Sequence, residues 1–332
     1  MGMVIKNVSF IVIARNESFA IEKCLASIAS MPLTECEVIC VDSDSTDNTL
    51  NVMKGYIGRI ENLTIVQCSG YVNASVGRNA GLKYATKKYI FFVDGDVELY
   101  PDFLAEALDR IELGKADAVT GILEQIVYCD DYKKIEKPFS YRKYYPRVMD
   151  ISHCGGIFLV TRQLAEMVGT WDELMDINED FDFTLRLHRY GKFLALPSTM
   201  GRHHTLSYDE RPWLYFKKRF PMYFGMVIRK NLTQPKAILS LHRLLRGYMF
   251  GFIMYLLLLA GIPLAFALPG SFCYVAFIIS LLVASDLGWG AIKKKSVLNR
   301  CLLHYLHVPL IIAGILFDAN HNRPPKVVRR IC

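Results

Sequence analysis

Two aspartates separated by one glycine, Asp94-Gly95-Asp96, stand directly after the apolar run Tyr89–Val93. A buried strand ending in two carboxylates delivers hard oxygen ligands to one sheet edge, with a permissive glycine backbone between them. Such oxygens suit Mg²⁺ or Mn²⁺, and a cation so held can grip a diphosphate. An acidic triplet after a strand is, by itself, equally well an Asx turn. Other groupings raise it above that. Ala14-Arg15-Asn16-Glu17 and Asp42-Ser43-Asp44-Ser45 close two earlier apolar runs, Gly77-Arg78-Asn79-Ala80-Gly81 lies between, and Gly169–Glu173 and Asn178-Glu179-Asp180-Phe181-Asp182 lie downstream.

The elements that must position these residues follow from periodicity. Val8–Ala14 is β-branched and apolar, and Ile21, Leu25 and Ile28 then recur at helical spacing. The alternation continues with Glu37–Val41 as strand, a helix capped by Ser45 through Met53, Leu63–Gln67 as strand, Ser75–Thr86 as helix and Tyr89–Val93 as strand. Such a rhythm predicts an α/β domain with a mostly parallel sheet, whose ligands sit beyond the carboxyl ends of strands. Three of those ends carry the acidic and polar groupings. Residues 1–205 read as one domain.

In their order and at their spacings Val41–Thr49, Gly77–Gly81, Asp94–Asp96, Gly169–Glu173 and Asn178–Asp182 resemble five motifs of the family 2 glycosyltransferases of the GT-A fold, over about the first 205 residues. The resemblance implies a Rossmann-like sheet and a donor site. Asp42 would accept hydrogen bonds from uracil and ribose, with Ala14, Arg15, Asn16, Glu17, Ser43 and Asp44 around the same nucleoside. Arg78 and Asn79 would flank the diphosphate. Asp94 and Asp96, with Gly95 between them, would hold the metal, and Glu179-Asp180 matches the pair whose aspartate removes the acceptor proton. Asp180 is therefore the expected catalytic base. Inverting transfer has its own need for a carboxylate opposite the leaving group. Two positions depart from the family pattern: Asp44 stands where many members have glycine, and Arg15 where an aromatic residue is common.

Some assignments stay double. His203 and His204 follow the strand-like Phe193–Leu196, and one of them, His203 first, either completes the metal site, as a late histidine does in some GT-A enzymes, or is a surface or structural histidine. Gly155-Gly156 either lines an acceptor channel or lets two backbones approach closely. Trp171 and Asp172 are expected on the acceptor side, although packing explains a tryptophan equally well.

The chain has 332 residues, a formal charge of +7 and 52% hydrophobic residues. Its cations cluster beside apolar segments after residue 210, which points to a membrane surface and away from nucleic acid. Scattered cysteines give neither a disulfide framework nor a metal spacing, so a reducing setting is expected. The first residues carry no signal peptide pattern, Arg15 interrupting the apolar run. Residues 206–245 interleave rings and cations as amphipathic interfacial helices do. In the membrane region, 246–332, the runs 247–268 and 272–292 reach bilayer length and should form a transmembrane hairpin. Arg243, Arg246 and Lys293–Lys295 place both its ends in the cytoplasm. The third run, 301–317, is shorter, holds His304, His307 and Pro309, and either spans or is re-entrant.

These expectations combine into an inverting transfer from a nucleoside diphosphate sugar, UDP-based, to a lipid-linked acceptor at the cytoplasmic face of the inner membrane. The acceptor would be a polyprenyl-linked glycan or, alternatively, polyprenyl phosphate itself. A non-catalytic scaffold that binds a nucleotide-sugar would be expected to lose the metal carboxylates or the base, and both are kept. A processive synthase would carry Gln-x-x-Arg-Trp, which Lys217-Lys-Arg-Phe-Pro221 is not.

Overall fold

The computed structural model describes residues 5–129, 132–206, 220–231, 307–317 and 325–332. A short β1 (Ile5–Lys6) precedes β2 (Val8–Ala14), in which every residue is buried. Burial on both faces is why β2 is a continuous apolar run rather than an alternating one. Along it Phe10, Val12 and Ala14 join one core, while Ile11 and Ile13 join the core on the opposite face. Helix α1 (Ser18–Ala29) buries Ala20, Ile21, Cys24, Leu25 and Ile28, the stripe its periodicity predicts.

The rhythm continues through β3 (Leu33–Thr34), β4 (Glu37–Ser43), α2 (Thr49–Lys54), β5 (Leu63–Ser69), α3 (Ala74–Leu82) and β6 (Tyr89–Asp94). Helix α2 starts only at Thr49, because Ser45 does not cap it. Ser45 instead accepts the Asn16 N–H at 3.0 Å, and its loop braces the turn after β2. Strand β2 pairs in parallel with both β4 and β6, and β4 with β5. Strand order therefore reverses at β2, and the crevice outside the carboxyl ends of β2 and β6 is a topological switch point. The register Ile13↔Asp94 sets the acidic turn in that crevice.

The second half of the sheet is mixed. After β7 (Val97–Leu99) and α4 (Pro101–Glu112) come β8 (Ala118–Cys129), β9 (Lys134–Lys143), β10 (Met149–Asp150) and β11 (Phe158–Thr161). Helices α5 (Arg162–Val168) and α6 (Glu179–Tyr190) precede β12 (Phe193–Leu206). Strand β12 extends well past the expected Phe193–Leu196 because it runs parallel to β8 almost to that strand's end, and so carries His203 and His204 to the acidic turn. Antiparallel β11 joins β8 to β6. Residues of α1 and α4 pack in one core, and those of α3, α5 and α6 in the other.

One departure concerns the tail, which sequence alone assigns to the membrane region. The strand β13 (Val327–Arg330) pairs antiparallel with β5, and Cys332 and Ile331 also hydrogen-bond to Ile65. Residues 1–209 and 321–332 accordingly form one compact unit, and residues 210–320 another. In the second unit, α7 (Phe220–Asn231) crosses α8 (His307–Leu316) through Gly225 and Gly314, whose backbones approach too closely to admit a side chain at either. Tyr223 and Phe224 are buried there. Among the described residues no helix is long and apolar enough to cross a membrane. The runs 247–268 and 272–292 and the start of the third, 301–306, lie outside the described residues.

Candidate active site

Helix α3 reaches the switch point because its glycines let it lie on the sheet. A side chain at Gly81 would strike Ile11 of β2, and one at Gly77 would press on Ser43 and Ile13. Between them Arg78 points into the crevice, only 3% exposed, and donates to Asp94 at 2.7 Å and Glu179 at 2.9 Å. Its guanidinium lies 4.5 Å over the Trp171 ring, which itself stacks on Phe183. A fork held by two carboxylates and an aromatic face is a rigid cation. Gly156 completes the socket, since a Cβ there would overlap the guanidinium.

The acidic turn is rigid as well. Gly95 donates its N–H to the Ile13 carbonyl at 2.8 Å, and a Cβ on it would crowd Ala14 and Glu17. Gly95 thus serves close approach rather than flexibility. Beyond it, Asp96 Oδ2 lies 2.8 Å from His203 Nε2. His204, alternating to the other face of β12, is held by Tyr128 and Glu98 instead. Asp96 Oδ1 and Glu17 Oε2 are buried without a hydrogen-bond partner. Burial, then Asp96 and Asp94, hold the Glu17 carboxyl well above the usual carboxylate range. The turn is therefore short of positive charge.

A divalent cation fits that deficit. Asp96 and His203 would supply an oxygen and a nitrogen ligand, while Asp94 is engaged by Arg78 rather than joined to them. Among the described residues no three His, Cys, Asp or Glu side chains gather closely enough to hold an ion unaided. Two protein ligands are compatible with Mg²⁺ or Mn²⁺, which commonly complete their shells with water and substrate phosphates.

On the opposite wall, α6 begins with Glu179 and Asp180 after Asn178, whose φ of 65° turns the chain into the helix. Asp180 Oδ1 accepts the Phe181 N–H at 2.7 Å, and Oδ2 lies 3.8 Å from where a Gly155 Cβ would be. Burial raises the proton affinity of Asp180, with Arg78 and the Phe181 N–H pulling against it. Burial and the neighbouring Asp180 push Glu179 up to about 7.

These walls enclose a cavity of about 560 Å³. Ala14, Arg15, Glu17, Ser43, Arg78, Asp94, Asp96, Gly156, Glu179, Asp180 and His203 line it, drawn from seven separate segments of the chain. Other expected residues stand behind that lining. Asp42 is fully buried, accepting from Ser45 N and Gln67 at 3.4 Å each. Asn79 holds the Trp171 backbone and Glu173 rather than facing the cavity. Asn16 accepts from Thr46, and Asp44 occupies a left-handed conformation, φ 60°, where the family's glycine is explained and aspartate is tolerated. Trp171 is 1% exposed and supports Arg78 from below instead of meeting an acceptor. Asn73, Arg142, Asp176 and Thr205 also line the cavity. No sequence motif marks Arg142, which comes from the exposed strand β9 and lies 2.8 Å from His203 Nε2. Its only sequence signal is the run of cations around it.

Comparison with known proteins gives this geometry a family. Residues 9–164 match Glycosyl transferase family 2. The poly(ribitol-phosphate) beta-N-acetylglucosaminyltransferase TarP of Staphylococcus aureus is 34% identical over 120 residues, 35% of this chain and 36% of that protein. The poly(ribitol-phosphate) beta-glucosyltransferase of Bacillus spizizenii is 31% identical over 126 residues, 34% and 20% of the two chains. The matched stretch thus spans well under half the length of these relatives. In fold, S. aureus TarS 1–349 in complex with UDP is similar with a TM-score of 0.51 at 20% identity, covering 67% of this chain and 63% of that one. The same fragment with UDP-GlcNAc gives 0.50 at 18%, covering 68% and 71%. Residues 9–164 are accordingly a glycosyl transferase family 2 domain, set in a unit of GT-A-like α/β fold.

Proposed function

We propose that the protein is an inverting glycosyltransferase that moves a sugar from a uridine diphosphate sugar to a membrane-presented, polyprenyl-linked glycan during cell-surface polymer synthesis. One observation carries this: a single cavity has an acidic turn with unpartnered buried carboxylate oxygens on one wall and Asp180 on the other. The similar TarS structures hold UDP and UDP-GlcNAc, and the relatives named above are glycosyltransferases of poly(ribitol-phosphate), both in keeping with it.

Asp180 takes the proton of the acceptor hydroxyl as its oxygen bonds to the anomeric carbon and the bond from that carbon to the diphosphate breaks. A carboxylate with raised proton affinity is a stronger base than an ordinary one. Arg78 cannot follow the substrate, so its charge is preorganised and costs no reorganisation during the reaction. Arg15 and Arg142 add positive charge where a diphosphate would lie. A divalent cation on Asp96 and His203 would neutralise charge building on the departing diphosphate.

The return of residues 325–332 to the sheet supports the membrane reading in one respect. A chain that leaves this unit and comes back crosses a bilayer an even number of times. Two spans, 247–268 and 272–292, with a non-spanning 301–317 satisfy that parity.

The test is sugar transfer from radiolabelled UDP-sugars in native membranes, reading label that partitions into organic solvent. Asp180→Asn should lower transfer to a sugar hydroxyl by at least ~10²-fold while UDP affinity is kept. Full activity in that variant would remove the base from Asp180. Activity lost only with glycan acceptors, and kept with polyprenyl phosphate, would favour a phosphate acceptor that is already ionised.

A further inference from the structure

Strand β9 and the chain after it carry Lys133, Lys134, Lys137, Arg142, Lys143 and Arg147, with Glu136 the lone acid between Tyr132 and Met149. Among the described residues Lys137, Lys143 and Arg147 form no ion pair. The same segment exposes large apolar groups: Ile135 is 49% exposed, Phe139 52%, Tyr141 50% and Tyr144 59%. The rings of Phe139, Tyr141 and Tyr144 touch in a row, with centroids 5.0 and 5.1 Å apart. Among the described strands β9 pairs with β8 alone, so this row sits at an edge. Exposed rings rimmed by unpaired cations mark an interaction surface rather than a solvated hairpin.

Its position says which ligand it serves. Arg142 lines the cavity, and the adjacent Lys143 is close enough to Asp180 to lower that carboxyl's proton affinity. The donor diphosphate belongs with Arg78 and the acidic turn. Lys143 acts instead on Asp180, the carboxylate assigned above to the acceptor hydroxyl. A neutral glycan would give these cations nothing to bind, and an unlinked anion would leave the ring row uncovered.

We propose that this hairpin is the docking surface for the carrier of a lipid-linked acceptor, its phosphates on Lys143 and Arg147 and its apolar chain along Phe139, Tyr141 and Tyr144. The assignment rests on the glycosyltransferase function proposed above and names the acceptor's charged, apolar portion. Phosphate groups suit lysine and arginine, and flat rings suit an unsaturated hydrocarbon chain.

Farnesyl diphosphate serves as a soluble probe, its binding to the full chain in neutral detergent measured calorimetrically with saturating UDP and Mg²⁺ to block the donor site. Lys143→Ala/Arg147→Ala should weaken binding by about tenfold or more, the loss of about one charge-assisted contact. Phe139→Ala/Tyr141→Ala should weaken it several-fold, with UDP affinity unchanged in both variants as evidence of folding. Inorganic pyrophosphate should bind much more weakly than the lipid diphosphate. Equal binding of pyrophosphate, or wild-type binding by both variants, overturns the proposal. Failure of the wild type to bind UDP at all would instead overturn the underlying enzymatic function.

Discussion

Replacing Gly156 with alanine tests whether a locked arginine organises the site. The new Cβ would lie 2.8 Å from Arg78 Cζ, nearer still to Nη2, and 3.4 Å from Asp94 Oδ1. Comfortable carbon contacts begin at about 3.5 Å, so the guanidinium must retreat by roughly 0.7 Å or more. It has nowhere to go, with the Trp171 ring at 4.5 Å and bonds of 2.7 and 2.9 Å fixing both its edges. Breaking one charge-assisted bond outright and weakening the other costs about 3 kcal/mol, because the carboxylates left behind remain largely desolvated. For a unit of this size that corresponds to roughly 6–12 °C in melting temperature. Thermal unfolding in detergent and UDP titration would both register it. Gly155→Ala is the internal control, since its Cβ would meet only Asp180 Oδ2 at an ordinary 3.8 Å. Identical melting and UDP affinity for the two variants would refute the reasoning.

Other outcomes follow from the same geometry. Asp96→Ala and His203→Ala should each lose Mn²⁺ binding, followed by electron paramagnetic resonance with UDP present; undiminished binding in either variant removes that ligand. Glu179 binds its proton more tightly folded, at about 7, than its ordinary 4.5. Its contribution to stability is therefore complete below pH 4.5 and lost as pH rises through about 7, and Glu179→Gln should flatten that slope in urea titrations. An unaltered slope would show that another group titrates there. A reporter fused after Cys332 should lie on the same side of the membrane as the first unit, and one inserted at Pro269–Ser271 on the other. Opposite sides for Cys332 and the first unit would contradict the pairing of β13 with β5.

Sequence and structure divide the protein along a physical line. Val8–Ala14 is legible because a strand buried on both faces has to be apolar throughout, and β2 has those same bounds. The acidic turn and the Glu-Asp pair are legible because short polar groups at element ends announce chemistry locally. Asp180 and Asp96 were found in that way, and they line one cavity. What concerns partners far apart in the chain was hidden. Gly156 reads as one half of a glycine pair, yet its purpose is set by Arg78, and Trp171 reads equally as an acceptor contact or a packing ring until that same arginine is seen resting on it. Arg142 belongs to no motif, because an exposed hairpin strand has no periodic requirement to betray it. The tail reads as membrane-proximal cations, since a short strand acquires meaning only from the edge it completes. The residue types alone thus determined an α/β fold and the carboxylates at its strand ends, since burial and local backbone geometry act on neighbours in sequence. Which carboxylate holds the arginine, which faces the histidine and where the chain returns were decided only by folding, because those contacts join residues whose sequence separation carries no pattern.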